Sequence, residues 1–138
     1  MAKMYLTRRE VFSASHRLWN QELSHDQNFE LYDKCANPHG HGHNFILEVT
    51  VAGNVKGDSG FAVDFKKLKH LVRTEIIEKV DHKHLNYDVD FLQGIIPTAE
   101  NIVRAFWRVL ESKNGEAKLY SIRLHETENN MVEYRGEE

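Results

Sequence analysis

The sequence predicts an α+β fold: a four-stranded antiparallel sheet carrying two helices on one face, in the order ββααββ. Three observations lead there. Four stretches alternate apolar and polar residues with period two, and two central stretches repeat with the helical period. Turn-forming Gly, Asn and Pro residues separate them. At 138 residues the chain fits a single domain spanning 1–138.

The first strand is expected over Tyr5 to His16. Met4, Leu6, Phe12, Ala14 and His16 share one face, interrupted by Arg8 and Glu10. Residues 17 to 37 are polar and aromatic without a clear period, and Leu23 with Phe29-Glu30-Leu31-Tyr32 suits one or two helical turns. A loop of this length in a small domain usually carries function. The second strand follows, with Phe45, Leu47, Val49 and Val51 on one face. Gly53-Asn54 and Gly57-Asp58-Ser59-Gly60 mark turns.

Asp64 is placed to cap the first long helix, whose apolar stripe is Phe65, Leu68, Leu71, Val72, Ile76 and Val80. Asp81-His82-Lys83-His84 ends it. Pro97 and Thr98 open the second helix, with Ala99, Ile102, Val103, Phe106, Trp107 and Leu110 buried and Asn114-Gly115 as its stop. The third strand runs from Lys118 to Thr127, with Tyr120, Ile122, Leu124 and then Glu126 on one face. Asn129-Asn130 turns the chain into a last strand, Met131 to Arg135.

Chemistry concentrates in Cys35-Ala36-Asn37-Pro38-His39-Gly40-His41-Gly42-His43. If His43 starts the second strand and His41 leads into it, both imidazoles point the same way, since positions two apart share a face. Two histidines so placed can grip one metal ion. His16 closes the first strand on its apolar face, where a lone histidine is ordinarily a satisfied core residue. Asp81 beside His82 reads equally as a carboxylate orienting an imidazole or as a solvated helix end, where His suits the dipole. Glu126 ends an apolar row, where a carboxylate is costly to bury unless paired. It either surfaces at the sheet edge or awaits a hydrogen-bonding ligand.

Composition excludes some classes. No apolar run approaches the ~18 residues of a membrane span. The formal net charge of −3 argues against a nucleic-acid surface, yet leaves room for a local anion pocket. Met1-Ala2-Lys3-Met4 lacks the apolar core of a signal peptide. One cysteine forms no internal disulfide, so a cytoplasmic location is expected.

Phe12-Ser13-Ala14-Ser15-His16-Arg17-Leu18, the Cys35 to His43 block, Asp81-His82, Pro97-Thr98-Ala99-Glu100-Asn101 and His125-Glu126 through Val132 together resemble the 6-pyruvoyltetrahydropterin synthase family. The match runs in order along the whole chain. The resemblance implies the tetrahydropterin-synthase fold (T-fold), in which three subunits close their sheets into a β-barrel. Two such trimers stack into a homohexamer, with active sites between subunits. It implies zinc as cofactor, held by His16, His41 and His43, with an open fourth position for substrate. It also implies Cys35 as a thiolate base, Asp81 and His82 as a proton-passing pair, Glu126 with Thr98 as the pterin anchor, and Arg17 facing the triphosphate. A metal ion and a protonated His82 beside Cys35 would lower its pKa.

The implied substrate is a small molecule, 7,8-dihydroneopterin triphosphate, and the product is 6-pyruvoyltetrahydropterin, with triphosphate released. No nicotinamide is needed. A sister family, 6-carboxytetrahydropterin synthase of queuosine biosynthesis, uses the same substrate and also releases acetaldehyde. Its usual spacing, Cys then three residues then His-Gly-His, fits Cys35 to His39-Gly40-His41. The pyruvoyl spacing fits Cys35 to His41-Gly42-His43, and we adopt it because Asn44-Phe45 and the strand follow His43 directly. The run from Glu126 to Glu137 also looks more like the pyruvoyl type. Two rivals from other classes are a zinc hydrolase with Glu126 as base and a non-catalytic pterin-binding protein. The first leaves Cys35 without a task; the second leaves Cys35 and the Asp81-His82 pair idle.

Overall fold

Strands β1 (Lys3–His16) and β2 (His41–Asn54) form the centre of the sheet, paired antiparallel along their whole length from Lys3 opposite Asn54 to His16 opposite His41. The computed structural model describes residues 1–113, 115 and 117–138. Elsewhere the chain forms α1 (His25–Tyr32), α2 (Phe65–Val72), a π-helical turn (Arg73–Ile77) running into α3 (Glu78–Val80), β3 (Lys83–His84), α4 (Ala99–Leu110), β4 (Lys118–His125) and β5 (Met131–Tyr134). No helix among the described residues is long and apolar enough to cross a membrane.

The sheet has five strands in the order β3-β1-β2-β4-β5, where the sequence predicted four. The extra strand, β3, runs parallel to β1. Its hold on β1 comes partly from His82 N–H donating to Ser13 O at 2.6 Å and Leu85 N–H donating to Ser15 O at 2.8 Å. Two residues are too few to show a period, so this strand has no signature in the sequence.

Along β1 and β2, alternate residues are buried against the helices. Phe12 stacks on Phe45 with ring centroids 4.9 Å apart, and Phe106 of α4 meets Phe12 edge-on at 6.1 Å. Glu10 also lies on this face, almost buried, and accepts a 2.6 Å hydrogen bond from Arg8 Nε. The charged interruption in the β1 pattern is thus a pair that satisfies itself.

The expected face of β4 is corrected at Tyr120, while Ile122 and Leu124 are buried as expected. Val51 pairs with Leu119, Thr50 with Ser121 and Val49 with Ile122. Tyr120 is the extra residue of a bulge, which reverses the phase of the strand. Leu119, Ile122 and Leu124 are buried, whereas Tyr120 is exposed and meets Tyr5 at 4.5 Å.

Caps behave as expected: Asp64 accepts from Lys66 N–H, and Thr98 accepts from Asn101 N–H. Phe65, expected in the core stripe, is exposed at the start of α2. α4 ends at Leu110, before the expected stop; Asn114 lies outside the described residues. α1 opens on a capping box in which Ser24 and Gln27 exchange hydrogen bonds. The spacing Ser-x-x-Gln was there to be read.

Candidate metal centre

His16 ends β1, and His41 starts β2 directly opposite it. His43 lies opposite Ala14, one pair further in on the same face. The two strands therefore deliver three imidazoles to one point by register alone, and their ligand atoms lie within 4.8 Å of one another. His16 Nε2 and His41 Nε2 are 3.1 Å apart. Gly40 makes the turn into β2. It sits at φ +73°, and a Cβ there would stand 2.7 Å from His16 O, so the position demands glycine.

His16 is fully buried, and its Nδ1 lies 2.8 Å from Pro97 O. A carbonyl only accepts, so Nδ1 carries the proton and Nε2 offers its lone pair. Burial, reinforced by His41 and His43, lowers the His16 pKa to about 4, against the opposing pull of the Pro97 carbonyl. Burial and His43 also lower that of His41, which Glu126 partly opposes. Neutral imidazoles are the form that binds metals. His43 Nε2 is buried with no hydrogen-bond partner. An orphaned acceptor beside two others is costly unless a cation fills the gap. This donor set fits a divalent metal with an open position.

Glu126 faces the same point. Its Oε2 lies 3.9 Å from His16 Nε2 and its Oε1 3.9 Å from His43 Nε2. Cys35 rides on a short 3-10 turn, Asp33–Ala36, and is partly buried. Burial raises its pKa, and the carboxylates of Glu126 and Asp33 add to the rise. The direction is opposite to the one expected from a metal charge and His82: the charges acting on the thiol within this chain are two carboxylates.

Arg17 is tied to the turn that carries Cys35. Its Nε donates to Ala36 O at 2.9 Å, and its guanidinium lies 4.0 Å from the Trp19 ring centroid. Leu18 N–H donates to Cys35 O at 2.8 Å. Arg17 and Leu18 thus hold the turn that carries Cys35. Asn86 clamps Arg17 in turn, accepting from its N–H and donating to its carbonyl, each at 2.8 Å.

Asp81 and His82 do touch: Asp81 Oδ2 and His82 Nδ1 are 3.0 Å apart. The Ser13 N–H, donating at 2.9 Å, holds the Asp81 carboxyl below its usual range; His82 adds to this and burial opposes it. His82 is largely exposed at φ 61°. Thr98 caps α4 immediately after the Pro97 carbonyl that orients His16. His39 is exposed and stands outside the trio.

Two partners of the site were not foreseen. One is the Pro97 carbonyl. The other is His84, whose Nε2 stands 3.3 Å from where a Gly40 Cβ would be and whose ring lies 4.5 Å from that of Tyr87. Burial lowers the His84 pKa against the pull of Asp88.

The profile of the family described as 6-pyruvoyl tetrahydropterin synthase matches residues 5–137. The chain belongs to this family. It is 46% identical over 132 residues to the 6-pyruvoyl tetrahydrobiopterin synthase of Dictyostelium discoideum, covering 96% of each chain. The structure of the Caenorhabditis elegans 6-pyruvoyl tetrahydropterin synthase superposes with a TM-score of 0.92 at 35% identity, over 99% of this chain and 98% of that one. A 6-carboxy-5,6,7,8-tetrahydropterin synthase from Aquifex aeolicus is more distant, 28% identical over 91% of this chain and 94% of its own. The fold is the α+β class expected, with a fifth strand, and His16, His41 and His43 lie together where they could hold a metal ion.

Proposed function

We propose that the protein is a zinc-dependent lyase that converts 7,8-dihydroneopterin triphosphate to 6-pyruvoyltetrahydropterin with release of triphosphate. The observation that carries this reading is the register of the histidines. His41 and His43 join His16 while His39 stays in solvent, so the spacing from Cys35 is that of the pyruvoyl type. The greater similarity to the Dictyostelium synthase supports the same choice.

His16, His41 and His43 would hold the zinc. Bound there, zinc would supply Lewis-acid polarisation of the substrate's side-chain hydroxyls. Glu126 accepts hydrogen bonds from the 2-amino group and a ring N–H of the pterin, and Thr98, at the start of α4, is assigned to the same anchor. The Cys35 thiolate takes a proton from the side-chain carbinol carbon, and the electron pair left behind moves into the ring C=N as the ring is protonated; the carbinol ends as a ketone and the dihydropterin as a tetrahydropterin, so the side chain is the internal reductant. The Asp81–His82 pair, already hydrogen-bonded and open to solvent, holds and passes protons. Loss of triphosphate then completes the elimination.

The sheet edges support the hexamer as the proposed assembly. β3 pairs only with Ala14 and Ser15, so among the described residues the outer edge of β1 has no strand partner before them. β5 leaves a second edge. Closure of three subunits into a barrel, and of two trimers into a hexamer, would cover both. It would also set Asp81–His82 against a neighbouring subunit. A cytoplasmic enzyme suits the single free thiol.

The test is to incubate the zinc-loaded protein with dihydroneopterin triphosphate and identify the products by mass spectrometry. 6-Pyruvoyltetrahydropterin with triphosphate supports the proposal. Acetaldehyde with 6-carboxytetrahydropterin assigns the chain to the queuosine type, and simple hydrolysis of the phosphate chain assigns it to the hydrolases.

A further inference from the structure

We propose that Asn86 is a positioning residue for the Cys35 thiol: its side-chain amide fixes the backbone of Arg17, and Arg17 and Leu18 pass that constraint to the turn Asp33–Ala36. The task of the thiol rests on the function proposed above; the bracing of its turn rests on geometry alone.

Strand pairing stops just short of Arg17. β1 ends at His16 and β3 at His84, and Leu85 N–H still reaches Ser15 O. One residue on, the Asn86 side chain takes over from the backbone. Its Oδ1 accepts from Arg17 N–H and its Nδ2 donates to Arg17 O, each at 2.8 Å. A side-chain amide carries the same donor and acceptor as a peptide group, so it extends the ladder by one rung. Its orientation is fixed, because an N–H only donates and a carbonyl only accepts. The backbone of Asn86 is engaged elsewhere: its N–H donates to His84 Nδ1 and its carbonyl accepts from Gln93 Nε2, both at 3.3 Å.

This rung holds the Cys35 turn. With its backbone fixed, Arg17 directs Nε to Ala36 O at 2.9 Å, and Leu18 N–H reaches Cys35 O at 2.8 Å. The turn is four residues of 3-10 helix, whose internal hydrogen bonds are poorly aligned. Bonds from outside therefore decide how long the thiol stays in one place, and losing one multiplies the open fraction about fivefold.

Asn28 makes the same pair of bonds further along. Fully buried, it accepts from Asn20 N–H at 2.8 Å and donates to Asn20 O at 2.9 Å. Two asparagines thus pin the aperiodic stretch after β1, one at Arg17 and one at Asn20. Only the pin at Arg17 adjoins the groups that bond Cys35 and Ala36.

The experiment uses the zinc-loaded full-length protein and follows alkylation of its only cysteine by iodoacetamide in Asn86→Ala, Arg17→Ala and the double variant. Thermal melts confirm folding, and Asn86→Asp, which keeps the acceptor for Arg17 N–H, replaces Asn86→Ala if that variant does not fold. We expect Asn86→Ala to be alkylated at least about fivefold faster than the parent, with Asn86→Asp in between. Arg17→Ala should react faster than the parent too, and the double variant no faster than Asn86→Ala, because one chain of contacts is cut twice. With dihydroneopterin triphosphate, kcat should drop by a similar factor at unchanged KM, since Glu126 and the metal site are untouched. Alkylation at the parent rate overturns the proposal. Effects that multiply in the double variant also overturn it, since Asn86 would then act independently of Arg17. Loss of zinc from Asn86→Ala overturns it as well, because the clamp would then serve His16. Faster alkylation with unchanged kcat overturns the positioning role. Faster alkylation where the parent itself fails to turn the substrate over upholds the brace and overturns the function proposed above.

Discussion

His16, His41 and His43 project from two strands paired without interruption from Lys3 to Asn54, whereas Cys35 rides on a four-residue turn held by a few contacts. His16 is fully buried and oriented by a carbonyl. Cys35 is partly buried, and the Leu18 N–H and the Arg17 side chain fasten its turn. A metal site needs fixed donor geometry, and a ladder of strand hydrogen bonds supplies it. A base that must approach and leave a substrate is better served by a segment of lower local stability. The difference teaches that the two parts should fail separately.

The largest expected effect tests that separation from the metal side. His16→Ala or His43→Ala should lower metal content from about one ion per chain to almost none. His39→Ala should leave it unchanged. Loss of metal in His39→Ala with retention in His43→Ala, read by atomic absorption after dialysis, would reverse the register.

Next comes the thiol. Cys35→Ala should cut turnover at least about a hundredfold, the usual reach of general-base catalysis, while metal content stays whole. Near-full turnover would return Cys35 to the role of a small buried hydrophobe. Loss of metal would merge the two regions into one His and Cys site.

A third measurement sharpens the contrast in burial. The folded pKa of His16, about 4, lies below its ordinary 6.5. Between those values the unfolded chain takes up a proton that the folded chain refuses. Stability of the metal-free protein is thus whole above pH 6.5 and falls as the pH drops toward 4, by about 3 kcal/mol from this residue. Urea melts at pH 7 and pH 4.5 should show the loss, and His16→Asn should flatten it. An unchanged midpoint in the parent chain would mean His16 is not held neutral by burial.

The smallest effect belongs to Arg17. Arg17→Ala removes the bond to Ala36 O and the contact with Trp19, at a cost of about 1–2 kcal/mol in denaturant melts. Turnover should fall through a loosened Cys35 turn, with faster alkylation of the thiol and intact metal binding. If instead affinity for triphosphate drops while alkylation stays at its parent rate, Arg17 is a substrate contact after all.

Much of this molecule is local, and local features are readable. Alternation along β1 and β2 is a property of each strand, so the shared face of His41, His43, Phe45 and Leu47 follows from spacing of two. Asp64 and Thr98 cap helices with their own side chains, one to three residues away. Likeness to a family then supplied the roles of His16, Cys35 and Glu126, which their spacing left open. Other features depend on what lies across the fold. The bulge at Tyr120 exists only relative to β2, and it moves Tyr120 off the predicted face of β4, where Ile122 and Leu124 remain. β3 is two residues whose backbone found the edge of β1. Pro97 acts on His16 through a carbonyl, a group every residue carries, so no residue type announces it. Arg17 turns to Ala36 and Trp19, and Glu126 to the imidazoles, because folding closes those distances. Residue types and their intervals encode which way a side chain points along its own element; which partner it meets is set by register and packing between elements far apart in the chain.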